Sequence, residues 1–376
     1  MKKKVIVGLS GGVDSSAAAF LLKQEGYDVI GVTMLTWPPA EPGGEDAADH
    51  PYAPGTPAAD AKRVADAIGI PHHVADLRDE FRTHVVRYFM EEYLLGRTPN
   101  PCVVCNRFVK WEALLTKSAG FGASLAATGH YARIARTESG RYAVRTSKTA
   151  AKDQTYALYR LTQDQLSRTI MPNGEYTKDE IRLIAERAGI PTAHKPDSQE
   201  ICFIPDNDYA GFIERHSGRR IPEGRFVTAD GRDLGPHSGI THYTVGQRKG
   251  LGLAMGRPVF VKEIRPDTNE VVIGEAGDVF SSVLTADRLN WMAVDGLHGK
   301  PLRALAKIRY GHAGSPCVIT EADGGAVRVE FDSPVRAVTP GQACVFYDAD
   351  GLVLGGGTIM RSGPACGTCA PRAGCR

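Results

Sequence analysis

Gly8-Leu9-Ser10-Gly11-Gly12-Val13-Asp14-Ser15-Ser16 is the stretch whose reading decides how this chain begins to fold. It follows a short apolar run, residues 4–9, and precedes a segment of helical spacing, residues 15–25, with Ala18, Leu21 and Leu22 on one side. A glycine-rich turn from a first strand into a first helix exposes backbone N–H groups at the positive end of the helix dipole. That arrangement holds phosphate oxygens. The Lys of the Walker loop is missing, and the spacing is not G-x-G-x-x-G, which disfavours a dinucleotide fold.

Working outward, residues 29–34 read as a second strand, residues 37–57 as a Pro/Gly-rich surface loop and residues 58–68 as a helix. A strand at 71–77 follows. Phe81, Val85, Phe89 and Tyr93 mark an amphipathic helix over 78–95, another helix starts near Phe108, and a small-residue strand spans 124–128. Strands alternating with helices imply an α/β unit, a doubly wound parallel sheet covered on both faces. Helical segments are expected to continue to about residue 190, where Thr177-Lys178-Asp179-Glu180 forms a capping box. From about residue 206 the glycine content rises. After residue 257 the pattern becomes hairpins, with a turn at Pro266-Asp267-Thr268-Asn269, which suits a small β-barrel. The boundaries are drawn at 1–205 for the nucleotide-binding catalytic domain, 206–278 for a small central β-rich domain, 279–362 for the C-terminal barrel and 363–376 for a cysteine-containing tail.

The composition is that of a globular protein, 42% hydrophobic and 23% charged over 376 residues. The basic N-terminus is followed at once by Gly8, Ser10, Gly11, Gly12 and Asp14, so it reads as a strand rather than a signal peptide. No apolar run is long enough for a membrane span, and the expected location is the cytoplasm. The formal charge of +2 conceals an asymmetry. Residues 41–92 carry 5 Lys/Arg against 11 Asp/Glu, whereas residues 96–160 carry 11 against 3. The basic segment suits a phosphate-backbone partner, or else it is a solvated positive face. Eight cysteines in a cytosolic chain point to catalysis, metal or redox chemistry rather than to structural disulfides.

The Ser-Gly-Gly-x-Asp-Ser core of the opening stretch resembles the pyrophosphate loop of the N-type ATP pyrophosphatases. That resemblance implies cleavage of ATP to AMP and pyrophosphate, activating an oxygen by adenylation. Mg²⁺ is expected to bridge the phosphates, with Asp14 a candidate to position it. Cys105 in Asn100-Pro101-Cys102-Val103-Val104-Cys105-Asn106 and Cys202 in Asp197-Ser198-Gln199-Glu200-Ile201-Cys202-Phe203 meet only through the fold. A nucleophilic thiolate needs a depressed pKa, and Arg107 and Lys110 lie nearby in sequence.

With Thr98-Pro99-Asn100-Pro101, Ala127-Thr128-Gly129-His130-Tyr131, Lys152-Asp153-Gln154, the run from Thr244 to Gly252 and Pro340-Gly341-Gln342 in the same order, the chain resembles the tRNA-specific 2-thiouridylases. The resemblance implies that Cys105 and Cys202 are catalytic. Cys202 would receive a persulfide sulfur from a cysteine desulfurase or a persulfide carrier, and ATP would adenylate O2 of the wobble uridine. Sulfur would replace that oxygen, leaving a Cys105–Cys202 disulfide. By the same matching, Gly8, Leu9, Ser10, Gly11, Gly12, Val13, Asp14, Ser15, Met34 and Gly129 line the ATP site. Asn100, Pro101 and Cys102 would face the target base, and His130, Lys152, Asp153, Gln154, Arg309, Tyr310 and Gln342 would contact the tRNA anticodon loop. A flipped, single-stranded uridine and salt-sensitive binding are expected. Many members carry Asp where this chain has Cys102, so Cys102, Cys105 and Cys202 are also candidate ligands of a [4Fe–4S] cluster.

Weaker signals are read as structural. Cys366, Cys369 and Cys375 form an incomplete zinc set, Cys317 and Cys344 suit core positions, and His72-His73 has no metal partner. Trp37, Trp111 and Trp291 read as packing residues. Gln247-Arg248-Lys249 is a solvated turn, a hinge or an RNA contact. A small-metabolite ATP pyrophosphatase, an amidotransferase or argininosuccinate-type ligase, would account for residues 1–35 but not for Cys105, Cys202 or the basic segment.

Overall fold

The computed structural model describes residues 2–37, 51–196 and 201–361. Most of the surface loop, the residues Asp197 to Glu200 before Ile201 and Cys202, and the tail with Cys366, Cys369 and Cys375 lie outside them.

Strands β1 (Lys4–Gly8), β2 (Asp28–Leu35), β3 (His72–Asp76) and β4 (Leu125–Ala127) are joined by helices. These are α1 (Val13–Gln24), α2 (Pro57–Ile68) and two helical runs over residues 78–94 and 101–120. With β7 (Thr169–Ile170) the strands form a parallel sheet of order β3-β2-β1-β4-β7. Alternation on β1 covers both faces: Val5 and Val7 pack against α1, α2 and α8 (Lys178–Arg187), whereas Ile6 packs against the 101–120 run. The strand order reverses beside β1, which opens a crevice at the carboxyl ends of β1 and β4.

Helical structure does not run continuously from there to residue 190. β5 (Ala132–Arg136) and β6 (Tyr142–Thr146) make an antiparallel hairpin closed by residues 137–141. The polar turn Thr137-Glu138-Ser139-Gly140 and the alternating Tyr142-Ala143-Val144-Arg145-Thr146 explain it, because period two overrides the expected helix there.

Helix α9 (Tyr209–Ser217) leads into a four-stranded sheet, β10-β11-β8-β9, built from β8 (Gly224–Val227), β9 (Asp233–His237), β10 (Phe260–Arg265) and β11 (Glu270–Gly274). Phe226, Tyr243, Val261 and Val271 form its own core. The last six strands, β12 (Phe280–Trp291), β13 (Leu302–Lys307), β14 (Ser315–Glu321), β15 (Val327–Arg336), β16 (Ala343–Tyr347) and β17 (Val353–Ile359), close into a barrel. The fold class is therefore the one expected: a doubly wound parallel sheet, a small central unit and a terminal barrel.

The barrel shares a continuous core with the parallel-sheet unit. The Asn290 amide donates to the carbonyls of Tyr159 (2.7 Å) and Leu161 (3.1 Å), and the Tyr156 hydroxyl donates to Ala343 O at 2.8 Å. Arg141, one of the basic-segment cations, donates to Trp291 O and Met292 O, and Lys148 pairs with Glu180. Part of that positive charge is thus structural.

Candidate active site

The glycine loop sits at the crevice. Its backbone is shaped from within: Ser15 Oγ accepts from Ser10 N (3.1 Å) and donates to Gly12 O (3.1 Å), and Ser16 Oγ donates to Gly12 O (2.8 Å). Gly12 caps α1 with no side-chain hydrogen bond, so the first-turn N–H donors have no side-chain cap. Gly11 adopts φ +72°, with Asp60 and Pro57 of α2 pressed against the place a Cβ would occupy. A Cβ on Gly129 would lie 2.6 Å from both Asp14 C and Ser15 N, so the end of β4 touches the loop. Asn173, fully buried, ties the two together by donating to Asp14 O (2.9 Å) and Gly129 O (3.1 Å). Met34 reaches to within 3.3 Å of a Cβ built on Gly8. Gly8, Met34, Gly129 and the polar part of the loop, Ser10 to Gly12 with Asp14 and Ser15, thus lie together at the carboxyl ends of β1 and β4, whereas Leu9 and Val13 are buried in the core beneath them.

The Asp14 carboxylate accepts from the Tyr131 hydroxyl at 2.7 Å and from Lys178 Nζ at 2.6 Å. Neither partner was singled out from the sequence. Thr177 to Glu180 gave only a helix-capping signal, and that capping box is present.

The thiols are brought together by the helical run over 78–94. On one side Cys105 ends the helix Pro101–Cys105, which packs against the π-helical turn Arg82–Val86. On the other, Phe203, next to Cys202, is 3% exposed and lies 5.4 Å from both Phe81 and Phe89, 6.0 Å from Trp37 and 5.3 Å from Phe212. Trp37 is a packing residue here, as are Trp111, fully buried with Nε1 donating to Thr169, and the core cysteines Cys317 and Cys344. Cys105 is buried, while Cys102 and Cys202 are exposed, and all three are free thiols.

The thiols also bear on one another through their charges. Burial pushes the Cys105 thiol up to about 12, the charges of Cys202 and Cys102 push the same way, and Lys110 opposes them. The Cys202 thiol is also raised, by crowding first and by Cys102 next, again against Lys110. The expected depression of the nucleophile's pKa is therefore reversed, because desolvation of Cys105 outweighs one ammonium. Of the two expected cations only Lys110 bears on the thiols. A second π-helical turn, Asn106–Lys110, directly follows Cys105, whereas Arg107 lies over the Phe108 ring at 5.2 Å. Among the described residues no three His, Cys, Asp or Glu side chains are grouped so as to hold a metal ion, so Cys102, Cys105 and Cys202 do not fit a cluster as they stand.

The expected RNA-facing residues divide. Asn100 caps the Cys105 helix, its Oδ1 accepting from Cys102 N (3.1 Å), and Pro101 is buried behind it. Only Cys102 of this trio is exposed. His130 is held neutral: burial, then Lys110, lower its pKa to about 3, and its ring bonds Thr128 at 2.8 Å. Asp153 accepts from Ser147 N and from Thr155 Oγ1, and the Gln154 carbonyl accepts from Tyr131 N at 2.9 Å. Lys152 is exposed. Tyr310, also exposed, is raised in pKa by partial burial and then by the charge of Asp153, with Lys152 and Cys102 near enough to contribute. The Tyr310 ring lies 6.3 Å from that of Tyr156, edge to face. Arg309 donates to Arg336 O at 2.8 Å.

Three of the motif blocks meet around Thr98 and its partner Gln342. Gln342 donates to Thr98 O (2.8 Å) and Pro99 O (3.3 Å), while Thr98 N donates to Pro340 O (2.8 Å) and the Thr98 hydroxyl meets that of Thr244 (3.3 Å). Parallel-sheet unit, central unit and barrel meet at the segment that starts the Cys105 helix. Gln247 folds onto its own loop, accepting from Thr244 N and donating to Lys249 O.

With this geometry in place, the comparisons agree along the chain. The family models described as tRNA methyl transferase HUP domain, tRNA methyl transferase PRC-barrel domain and Aminomethyltransferase beta-barrel domain match residues 3–206, 210–275 and 281–359. The tRNA-specific 2-thiouridylase MnmA of Lachnoclostridium phytofermentans is 57% identical over 360 residues, spanning 96% of this chain and 100% of its own. The proteins of the same description from Clostridioides difficile and Carboxydothermus hydrogenoformans are 48% and 50% identical. Each spans 96% of this chain, and 99% and 98% of its own length respectively.

Proposed function

This chain belongs to the family of tRNA-specific 2-thiouridylases, and from that membership we propose how its residues carry out the reaction. It is an ATP-dependent tRNA uridine 2-sulfurtransferase. ATP lies on the loop from Gly8 to Ser15, with Met34 and Gly129 beside it. O2 of a flipped wobble uridine attacks the α-phosphate, the bond to the β-phosphate breaks, and pyrophosphate leaves with the electron pair. Mg²⁺ supplies charge neutralisation on the phosphates when bound, and Asp14 is the loop carboxylate that would hold it. Tyr131 and Lys178 both bond Asp14 Oδ1.

Cys202, exposed, accepts the sulfane sulfur of a cysteine desulfurase or persulfide carrier as Cys202–S–SH. The Cys105 thiolate attacks Cys202 Sγ, forming the Cys105–Cys202 disulfide and releasing hydrosulfide. Hydrosulfide adds at C2 of the adenylated uridine, and AMP leaves with the former O2. The two electrons that reduce the sulfane sulfur come from the cysteine pair, and an external thiol reductant restores it. Cys105 enters protonated, so attack requires loss of its proton, with Lys110 the nearby cation that favours the thiolate. Among the described residues no helix is long and apolar enough to cross a membrane.

The convergence of Cys105 and Cys202 on one helical support carries this reading, with Lys110 bearing on both thiols and on His130, the neighbour of Gly129. It is tested by mass spectrometry of nucleosides from tRNA incubated with protein, Mg·ATP and a sulfur donor. Native protein yields 2-thiouridine, whereas Cys105→Ser and Cys202→Ser yield none. Full product from either variant would remove the thiols from the reaction.

A further inference from the structure

The glycine loop lacks a lysine, yet the fold delivers one to it. Helix α8 opens with the Thr177 capping box, and Lys178 is its first residue. A cation in the first turn is opposed by the helix dipole, which favours the Asp179 and Glu180 that share that turn. Lys178 nevertheless sends its ammonium away from α8 to Asp14, 164 positions earlier, meeting Oδ1 at 2.6 Å. The side chain is 11% exposed and passes over the Tyr131 ring at 5.8 Å. A nearly buried ammonium requires an anion, and Asp14 is one that supplies it.

The surroundings point to a second anion. The Asp14 carboxylate also accepts from Tyr131, and its backbone is fixed by Asn173, so the carboxylate stays put while the lysine has a flexible four-carbon stem. The uncapped first turn of α1 lies at the same place. We infer that Lys178 is the phosphate-binding lysine of this enzyme, exchanging the Asp14 carboxylate for the terminal phosphates of ATP. It fills from a distant helix the role that a lysine within the loop fills elsewhere. This rests on the reading that ATP occupies the crevice.

Calorimetric titration of the full chain with Mg·ATP and separately with AMP tests it. Lys178→Met weakens ATP binding by roughly ten- to a hundredfold, the worth of one charge-assisted contact, while AMP changes by less than about twofold. Lys178→Arg keeps the charge and recovers most of the ATP affinity. In case loss of the ion pair itself disturbs folding, the same comparison is made in Asp14→Asn protein, where no carboxylate is left unpaired and the selective loss toward ATP persists. Unchanged ATP affinity, or equal weakening toward ATP and AMP, overturns the assignment of Lys178 alone. Native protein that binds neither nucleotide overturns the nucleotide crevice with it.

Discussion

Consider Gly129→Ala. The new methyl group would sit 2.6 Å from Asp14 C and Ser15 N and 2.7 Å from Asp14 O. All three are backbone atoms, so no side chain can rotate aside. Ordinary contact begins at 3.4 Å, so the end of β4 and the glycine loop must part by about 0.8 Å. The Asn173 amide holds both at 2.9 and 3.1 Å; shared equally, the separation stretches its two bonds to about 3.3 and 3.5 Å, longer than the ordinary range for N–H···O. Overpacking of this kind costs roughly 1–3 kcal/mol, which a domain of this size tolerates. A displacement of about 1 Å in a reacting constellation, by contrast, costs on the order of a hundredfold in rate. Thiolation of tRNA at saturating tRNA and ATP, measured with thermal unfolding of the same sample, should therefore fall by about a hundredfold in a protein that stays folded. A variant within about threefold of the native rate would show that β4 does not set the loop, and the argument from close approach would fail.

Three further outcomes follow from the thiol site. Phe203→Ala empties a position 3% exposed among four aromatic rings, at an expected cost of about 3–5 kcal/mol in denaturant unfolding. It should abolish thiolation while ATP binding survives, and normal thiolation would show that Phe203 does not anchor Cys202. Because burial holds Cys105 protonated, with its pKa pushed up to about 12, its alkylation followed by peptide mass spectrometry should keep rising beyond the usual thiol range near 8.5. The stability tied to that thiol is intact below about pH 8.5 and declines as pH rises toward its folded value, and a labelling plateau near 8.5 would contradict its burial. His130, with its pKa lowered to about 3, should show no NMR titration between about pH 5 and 8; its stabilising effect fades only as pH falls below about 6.5, where the unfolded chain takes up the proton.

Much of this was legible in residue order. The strand–glycine–helix transition at residues 4–25 carries its own physics, so the parallel sheet and the nucleotide crevice followed from it. Helix boundaries marked by Pro57, Gly69 and the Thr177 cap were equally local. What the sequence could not show depends on partners far along the chain. Lys178 meets Asp14 and Asn173 clips Gly129 across more than forty positions, and neither pairing leaves a periodic trace. The thiol pKa also ran against expectation, since Lys110 is visible in the sequence whereas the desolvation that outweighs it exists only after packing. Asn100, Asp153, Gln154 and Gln342 hold the site's backbone through hydrogen bonds of their own. Matching motifs marks such residues as important without separating support from contact.

The most direct test follows the fate of the two sulfur atoms. After a single turnover of native protein with persulfide donor, Mg·ATP and tRNA, quenched without reductant, peptide mass spectrometry should find Cys105 joined to Cys202 in step with each 2-thiouridine formed. If 2-thiouridine accumulates while both thiols remain open to alkylation, the cysteine pair does not supply the electrons, and the mechanism built on their convergence is wrong.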